Sequence, residues 1–349
     1  PPTRKNLFCC FYACIASFAA RMAGPANWSE QVHQQIPIKH IAEDWRMQMR
    51  DLVTSSTELL TLLGLSADQV GLSDEAGKEF PLRVPRNFVN RMQVGEPGDP
   101  LLRQVLPQLR ETDDTPGFST DPVGETGRTN PHPGIVHKYR GRVLLIVSSS
   151  CAIHCRYCFR RHFPYDANQV SRKDWHNALE YIRQDSSISE VILSGGDPLV
   201  AGDDQLSSLV DDIAGVAHLK RLRIHTRLPI VIPERVTDDL IGAICRPNLK
   251  TVMVIHANHA AEINGGVESA IARLQCRGIP TLNQAVLLAG INDSVDAQLQ
   301  LCERLFDAGA LPYYLHLLDK VQGAAHFDVS ETEARAIHEQ LCARLPGYL

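Results

Sequence analysis

Three cysteines stand close together near the middle of this 349-residue chain. Cys151, Cys155 and Cys158 form a C-x3-C-x2-C run directly after the apolar segment Val143–Val147. Three thiolates can bind three irons of a cubane iron–sulfur cluster and leave the fourth iron without a protein ligand. The spacing therefore predicts a catalytic [4Fe–4S] cluster whose open iron can bind a small molecule.

S-adenosylmethionine (SAM) has the amino and carboxylate groups that such an iron can bind. One electron from the reduced cluster into its sulfonium breaks a carbon–sulfur bond and releases a 5′-deoxyadenosyl radical. The alternative is a zinc site, because cysteine pairs near a histidine such as His154 or His162 are common in zinc modules. A structural zinc normally fills four positions, and no second Cys or His pair follows this run. The run therefore favours the cluster.

A glycine-rich turn follows the next apolar segment, Val191–Leu193. Ser194, Gly195, Gly196 and Asp197 combine paired glycines, which let a backbone edge approach a ligand, with a carboxylate that can receive an ammonium group. A plain turn is the alternative if the motif stood alone. Placed one segment after the cysteines, it predicts the contact with the amino group of SAM.

Two histidines end the following apolar segments. His225 and His256 are predicted to lie on the same face as the cysteines and to contact SAM. Most isolated histidines serve only packing or solvation. His256 is the better ligand candidate, because Asn258 and His259 cluster polar groups beside it.

Two aspartates follow the last two apolar segments. Asp293 and Asp319 are each, taken alone, typical turn or cap residues. On one pocket wall they would repel each other unless a cation lay between them. Their placement predicts a substrate with a distal ammonium group.

Short β-branched or aliphatic segments position these residues and alternate with helical patterns, which predicts parallel β/α winding with the functional loops at one end. The six predicted strands are Val143–Val147, Val191–Leu193, Leu222–Ile224, Val252–Ile255, Leu282–Leu287 and Tyr313–Leu317. Helix faces that should pack on them carry Trp175, Leu179 and Ile182, then Ile271, Leu274 and Ile279, then Leu301, Leu305 and Phe306.

The chain before the strands reads differently. Residues 28–133 are predicted to form a mainly helical layer, with Leu52 and Val53 among its apolar positions, that ends in a Pro/Gly-rich connector from Thr112 to Pro133. Residues 134–321 are predicted to form the barrel and residues 322–349 a C-terminal helix. The basic and apolar start of residues 1–27 is interpreted as a non-native, upstream or targeting segment, with Met22 as a later start, and is too short to span a bilayer.

Composition excludes some function classes. A net charge of -5 without a basic run argues against nucleic-acid binding, and no membrane span is predicted. The other cysteines show no paired framework, so a reducing, cytoplasmic location is expected. Four of them, Cys245, Cys276, Cys302 and Cys342, are expected to be small buried residues.

With these motifs in place, the stretch from Leu59 to Tyr348 resembles the lysine 2,3-aminomutase family, and most closely its short bacterial branch that supplies β-lysine for modifying translation elongation factor P. The resemblance rests on Leu82–Arg86, Pro116–Pro122, Cys155–Tyr165, Leu222–His225, Leu228–Pro233, Pro312–His316 and Leu318–Phe327.

The resemblance implies an α/β fold, namely a radical SAM partial (βα)6 TIM-like barrel with an N-terminal helical layer. It implies the [4Fe–4S] cluster, SAM and pyridoxal 5′-phosphate (PLP) as cofactors. Arg160 matches the partner of the substrate carboxylate, and Asp293 and Asp319 match the partners of its ε-ammonium group. Lys138 and Arg142 match positions that bind the PLP phosphate, with Lys138 in place of the more usual arginine.

One departure concerns PLP. The family's Schiff-base lysine lies in a Lys-Thr-Pro type segment downstream of the Gly-Tyr-Leu run, and this sequence stops at Gly347-Tyr348-Leu349. None of its lysines occupies that place, so the sequence is interpreted either as a fragment or as having lost its true C-terminus. Weak, non-covalent PLP binding is expected.

The expected function is therefore the conversion of L-lysine to β-lysine, linked to elongation factor P and its β-lysine ligase and fed by a reductant for the cluster. A homo-oligomer is compatible with the sequence. One alternative is an aminomutase for another amino acid such as glutamate, which the two aspartates disfavour. The other is a non-catalytic iron–sulfur or zinc scaffold that binds a translation-factor-modifying partner.

Overall fold

The computed structural model describes residues 44–125, 129–164 and 172–349. The interpretation of residues 1–27, including the start at Met22, lies outside the described residues. Within the described ranges, no helix is both long and apolar enough to cross a membrane.

Residues 44–112 form a layer of short helices, as predicted. They are α1 (Trp45–Arg50), α2 (Ser56–Leu63), α3 (Ala67–Val70), α4 (Asp74–Glu79), α5 (Arg86–Val89) and α6 (Pro100–Arg103), followed by a 3₁₀ turn at Leu109–Thr112. Capping explains their bounds. The Ser55 hydroxyl accepts from the Glu58 amide at 3.3 Å before α2, and Gly64 ends that helix with a φ of 64°.

The placement of Leu52 and Val53 on a helix face is wrong. They form a short strand, β1 (Leu52–Val53), which pairs antiparallel with β2 (Val84–Pro85). Val53 faces Val84, and both are fully buried. Branched side chains favour extended backbone, and this local preference replaces the helical pattern.

All six predicted strands are present in one sheet. They are β4 (Arg142–Ser148), β5 (Glu190–Gly195), β6 (Arg221–Thr226), β7 (Lys250–His256), β8 (Thr281–Val286) and β9 (Leu311–His316). Neighbours in sequence are parallel neighbours in the sheet. A seventh strand, β3 (Ile135–Tyr139), was not predicted and pairs antiparallel with β4.

A helix follows each parallel strand, so the prediction of a partial (βα)6 barrel is confirmed. The main helices are α7 (Arg172–Gln184), α8 (Asp203–Ala214), α10 (Asp238–Ile244), α11 (Gly265–Cys276), α12 (Val295–Ala308) and α13 (Glu331–Arg344), with a short α9 (Leu228–Val231) after β6. Further 3₁₀ turns lie at Pro198–Val200, Pro233–Arg235, Ala260–Glu262 and Ala325–Phe327.

The predicted helix faces pack on the sheet, with two differences. Leu301 and Leu305 of α12 are buried, but Phe306 is 44% exposed and does not pack inward. Ile279 is buried but lies beyond the end of α11. Phe306 directly follows Leu305, so it points about 100° away from it around the helix.

The helical layer and the barrel share one apolar core. Leu63 and Phe88 of the layer belong to the same buried cluster as Leu199, Leu228 and Ile255 of the barrel. The domain bounds at residues 134 and 322 remain predictions. The shared core places the layer firmly against the loops that carry the candidate site.

Candidate active site

The three cysteines lie in the loop that leaves the carboxyl end of β4. Cys151, Cys155 and Cys158 are half-buried and form no disulfide. The helical layer holds this loop, since the Arg156 amide donates to the Gln104 carbonyl at 2.9 Å. A further hydrogen bond, from the Cys158 amide to the Cys155 carbonyl at 2.9 Å, closes a tight turn around the second pair.

The thiols lie close enough to affect each other's charge. Burial raises the pKa of Cys151 well above its usual range, and Asp197 and the other two thiols raise it further. Burial and the nearby Cys155 raise the pKa of Cys158 to about 11. Bound iron would supply the positive charge that keeps such thiols deprotonated.

The donor set fits a cluster. Across the residues that the structure describes, no three His, Cys, Asp or Glu side chains are grouped as the ligands of one metal ion would be. The three sulfurs of a cubane cluster bind different irons, so they do not have to meet at one point. Three thiols on one short loop therefore suit the predicted cluster.

A buried ion cluster anchors the loop to the helical layer. The Arg156 Nε donates to both oxygens of Glu111 at 2.9 and 3.0 Å, and Arg161 Nη2 lies 3.0 Å from the same carboxylate. All three side chains are fully buried. Arg156 lies between the cysteines and Arg161 follows them, so Glu111 fixes both ends of the C-x2-C turn.

A second buried network holds Tyr157, the other residue between those cysteines. Its hydroxyl accepts from Arg227 Nη1 at 2.8 Å and from Asn258 Nδ2 at 2.7 Å, and lies 3.0 Å from His256 Nε2. Arg227 also donates to the Cys155 sulfur at 2.6 Å and to Glu262 at 2.9 Å. Burial and Arg227 hold the pKa of His256 well below its usual range. His256 is therefore a neutral partner of the cluster loop, and its contact with SAM remains a prediction.

The paired glycines bring two loops together. Gly195 has a φ of 121°, and a Cβ at this residue would lie 2.5 Å from the Ser148 carbonyl oxygen. A Cβ on Gly196 would lie 2.4 Å from the Ser150 carbonyl oxygen. Both contacts are with the start of the cysteine loop. The glycines therefore allow the glycine turn to pack directly against the loop that carries the cysteines.

Asp197 joins the glycine turn to the end of β6. One carboxylate oxygen accepts from the Leu199 amide at 3.0 Å and from the Thr226 hydroxyl at 2.7 Å. The other accepts from the amides of Arg227 and Leu228, at 2.7 and 3.1 Å. This carboxylate is committed to four protein donors, so its predicted contact with an ammonium group would add to an existing structural role.

His225 presents an unpaired ring nitrogen beside the sheet. Its Nε2 is buried and has no hydrogen-bond partner among the described residues. Burial, with Arg223, Arg160 and His316 nearby, lowers its pKa to about 3. A neutral ring with an unmet polar atom fits a residue that contacts a bound molecule.

Arg160 lies between the glycine turn and the connector. Its Nε and Nη2 donate to the two oxygens of Glu125 at 2.6 and 2.9 Å. Its Nη1 donates to the Ser194 hydroxyl and to the Gly195 carbonyl, both at 3.0 Å. Arg160 therefore recognises a carboxylate in this structure, and that carboxylate belongs to the protein.

The two residues predicted to bind the PLP phosphate have different surroundings. The Lys138 Nζ donates to the Val123 carbonyl at 2.6 Å and lies 3.9 Å from Glu125. Arg142 is exposed, with its guanidinium 4.5 Å from the centre of the Tyr139 ring. Lys138 thus shares the surroundings of Arg160. A common phosphate site for Lys138 and Arg142 stays a prediction.

Asp319 follows β9, and its pKa is affected by the charge of Arg160. Partial burial raises its pKa, His316 opposes this shift, Glu125 adds to it, and Lys138 and Arg160 oppose it. Asp293 is exposed in the turn before α12. Its convergence with Asp319 on one ammonium group stays a prediction.

Sequence reasoning missed the partners of the site more than its main residues. Glu111, Glu125, Arg227 and Glu262 are buried charged residues that no motif identified. The signal for Arg227 was its position just after His225, at the end of a strand. Glu125 and Glu111 gave no such signal, because each acts through an arginine far away in sequence.

The chain is similar to known proteins over most of its length. Residues 139–226 match a family model described as a 4Fe-4S single cluster domain. The L-lysine 2,3-aminomutase of Escherichia coli is 49% identical over 88% of this chain and 90% of that protein. The chain belongs to the lysine 2,3-aminomutase family. The Haemophilus influenzae L-lysine 2,3-aminomutase is 45% identical over 90% of this chain and 93% of that protein.

Family membership makes this aminomutase homologue an isomerase, and the family model supports a [4Fe–4S] cluster in the stretch 139–226. The assignment of its ligands to Cys151, Cys155 and Cys158 stays a prediction. Among solved structures, a radical SAM methyltransferase from Sphaerobacter thermophilus covers 60% of this chain and 66% of its own, with 17% identity and a TM-score of 0.42. That likeness is too distant to bear on function.

Proposed function

We propose that this aminomutase homologue converts L-lysine to β-lysine with a [4Fe–4S] cluster, SAM and PLP. The observation that carries the proposal is the wall formed by Arg160, Lys138 and Asp319 beside the cysteine loop. Lys138 and Arg160 both contact the Glu125 carboxylate, at 3.9 and 2.6 Å. Their positive charges also lower the pKa of Asp319, against the burial that raises it. Arg160 suits the carboxylate of a diamino acid, Asp319 suits its distal ammonium group, and Lys138 suits the phosphate of PLP.

The cysteines are proposed to hold the cluster. A reduced cluster held there would supply the single electron that bound SAM needs to become a source of a hydrogen-abstracting radical. The other residues of the chain hold the cysteine turn in place. Arg156 and Tyr157 are held by Glu111 and by the Arg227 network, so both residues between Cys155 and Cys158 are fixed by buried contacts with the protein.

The two ends of lysine are proposed to bind opposite charges. Arg160 offers a planar guanidinium that suits the α-carboxylate, and Asp319, with Asp293, offers carboxylates for the ε-ammonium group. The structure supports Arg160 most directly, since it already holds the carboxylate of Glu125 in a fork. An amino acid with a distal carboxylate would meet repulsion at Asp319.

Lys138 is proposed to pair with the PLP phosphate, with Arg142 as its predicted companion. Lys138 supplies a point charge, and its side chain is 20% exposed. PLP supplies the imine chemistry through which an amino group can move between neighbouring carbons. The neutral His225 would lie beside these anions without adding charge.

The connector is proposed to exclude water from this wall. The Ser119 amide donates to the Lys320 carbonyl at 2.9 Å, and the Gln322 amide donates to the Ser119 carbonyl at 3.0 Å. These bonds tie the connector to the segment that follows Asp319. Radical intermediates need such exclusion, because water and oxygen quench them.

The product is proposed to serve the β-lysylation of elongation factor P. The support is the resemblance of Leu318–Phe327 to the short bacterial branch with that role. Two tests follow. Product made by the protein, added to elongation factor P with its β-lysine ligase, should increase the mass of the factor by one β-lysyl group, and an unchanged mass would refute this link.

The catalytic proposal is tested by anaerobic reconstitution with iron, sulfide, SAM, PLP and dithionite, followed by L-lysine. We expect β-lysine by chromatography and mass spectrometry. Parallel reactions with L-glutamate should give no β-amino acid. Formation of 5′-deoxyadenosine without β-lysine, or rearrangement of glutamate in preference to lysine, would contradict the proposed substrate.

A further inference from the structure

Both edges of the Arg160 guanidinium are engaged. Glu125 occupies the edge formed by Nε and Nη2 at 2.6 and 2.9 Å. On the other edge, Nη1 donates to the Ser194 hydroxyl and the Gly195 carbonyl at 3.0 Å. A bidentate carboxylate needs two parallel N–H groups on one edge. A substrate carboxylate therefore cannot bind Arg160 in a fork while all these contacts persist.

Glu125 neutralises two cations at once. Its carboxylate lies 3.9 Å from Lys138 Nζ in addition to its fork with Arg160. The Glu125 side chain is 8% exposed and that of Arg160 is 6% exposed, so both charges have lost most of their water. Without Glu125, two like charges would face each other in a poorly hydrated space, which is costly.

We infer that Glu125 is an internal counter-ion that the α-carboxylate of the substrate displaces from Arg160. The inference rests on the proposed function, since it names the group that lysine must replace. The incoming carboxylate brings the same two oxygens in the same plane, so Arg160 exchanges one fork for another. If Glu125 remained, two carboxylates would meet at one guanidinium, and their repulsion would weaken substrate binding.

The structure indicates how Glu125 moves. Its backbone amide donates to a carboxylate oxygen of Asp121 at 2.8 Å, so the backbone is anchored. Among the described residues, the carboxylate itself contacts Arg160 and Lys138. A rotation of the side chain toward Lys138 breaks the fork and keeps a positive partner. Displacement of the Glu125 carboxylate therefore does not require the hydrogen bond between the Glu125 amide and Asp121 to break.

The exchange would make the protein selective for a carboxylate at the α-carbon. A ligand with an amide in that position is neutral there and has one acceptor oxygen, so it cannot form the fork with Arg160 and should leave Glu125 in place. L-lysinamide differs from L-lysine in that group alone, which makes it the matched probe. The comparison of the two ligands isolates the contact at Arg160 from contacts with the ammonium groups.

The test measures binding to the unreduced full chain, reconstituted with cluster, SAM and PLP, so that no radical forms. Isothermal titration calorimetry with L-lysine and with L-lysinamide is performed on the wild type, Glu125→Gln and a control, Glu190→Gln. Glu190 also forms a fork with a half-buried arginine, Arg223, at 3.0 and 2.7 Å, but at the start of β5. The control breaks a comparable ion pair without touching Arg160.

We expect Glu125→Gln to tighten L-lysine binding by roughly tenfold, because the competing charge is gone. Binding of L-lysinamide should change by less than about twofold, and Glu190→Gln should change neither. Unchanged or weaker binding of L-lysine by Glu125→Gln would overturn the inference and make Glu125 a permanent support of Arg160. Equal binding of both ligands by the wild type would also overturn it, since the carboxylate would then not be read at Arg160.

Failure of this inference is distinguishable from failure of the proposed function. Formation of β-lysine by the wild type decides the function, whatever Glu125→Gln does to binding. If neither ligand binds, the inference falls, and the product assay alone decides whether lysine is a substrate. Should Glu125→Gln fail to fold by circular dichroism, Glu125→Asp replaces it. Its shorter side chain withdraws the carboxylate from Arg160, so L-lysine binding should again tighten, and weaker binding would count against the inference.

Discussion

The two sides of the candidate site differ in how completely their charges are paired. On the cluster side, Glu111 and Arg156 are fully buried and hold the cysteine turn from both the layer and the loop. On the substrate side, Arg160 is paired with Glu125 from the connector, and Asp319 is accessible to solvent although partial burial raises its pKa. The cluster side is organised in advance of its ligands, whereas the substrate side carries charges that a ligand would complete or replace.

This difference suits a radical reaction. The geometry between the cluster and SAM has to be fixed, because a misplaced radical reacts with the protein. The substrate has to enter and leave, so its partners must be able to change. Substitutions on the cluster side should therefore affect stability and cluster content, and those on the substrate side should affect binding.

The largest effect is expected for Glu111→Gln. It leaves the buried Arg156 and Arg161 without their counter-charge, which should lower the free energy of unfolding by about 3–5 kcal/mol. Glu58→Gln is the matched control, because Glu58 pairs with Arg86 while 40% exposed, and should cost at most about 1 kcal/mol. Urea unfolding monitored by circular dichroism measures both. Equal costs would show that the loop does not depend on this ion cluster.

The second-largest effect is expected for Arg160→Lys, and it should be an effect on catalysis. Lysine keeps the charge but cannot form a fork, so kcat/KM for L-lysine should fall by roughly a hundredfold, or about 2.7 kcal/mol. Iron content and the electron paramagnetic resonance signal of the reduced cluster should stay unchanged. Loss of the cluster in this variant would break the division between the two sides.

Asp319→Asn and Asp293→Asn sharpen the substrate side further. If both carboxylates bind one ammonium group, each substitution should raise KM for L-lysine about tenfold, and the double variant should lose less than the product of the two. Steady-state kinetics of the three variants gives this coupling. An unchanged KM in Asp293→Asn would remove Asp293 from the wall.

The smallest effect concerns pH. The unfolded chain protonates His225 near pH 6.5, whereas in the folded protein burial of the ring, with the charges of Arg223, Arg160 and His316, lowers its pKa to about 3. Between these values the unfolded state binds more protons, so stability falls as pH falls, by up to about 1.4 kcal/mol per pH unit. Anaerobic urea unfolding at pH 6.5 and 5.5 measures this loss.

His225→Asn should reduce that pH dependence, and His338→Asn, on the exposed face of α13, should leave it as in the wild type. If His225→Asn unfolds with the same pH dependence as the wild type, His225 takes up its proton without hindrance in the folded protein. That result would exclude a neutral His225 in the folded protein at these pH values.

Local patterns account for what the sequence predicted. Runs such as Val143–Val147 are branched and apolar, so each of the six parallel strands could be predicted, and the order of the site loops followed. The antiparallel β3 was missed, because His137 and Lys138 interrupt its apolar pattern. The sequence predicted that the glycine turn contacts a ligand, and this stays a prediction. The close approach of the two glycines to Ser148 and Ser150 is visible only in the structure.

Long-range pairs could not be predicted. Glu125 lies 35 residues from Arg160 in sequence, and Glu111 lies 45 residues from Arg156, and only the tertiary fold joins them. The expected burial of four cysteines was right for Cys302 but wrong for Cys276 and Cys342, which are exposed, and Cys245 is intermediate. Cys245, Cys276 and Cys342 each lie near a helix end, where a short apolar side chain can remain outside the core.

The central claim is that Cys151, Cys155 and Cys158 hold a cluster that cleaves SAM. The most direct measurement is the amount of 5′-deoxyadenosine formed anaerobically with dithionite and SAM by the wild type, by Cys155→Ala and by the control Cys276→Ala, whose cysteine is exposed. The account predicts 5′-deoxyadenosine from the wild type and the control, and none above background from Cys155→Ala. Equal amounts from Cys155→Ala and the wild type, or none from the wild type with its full iron content, would contradict it.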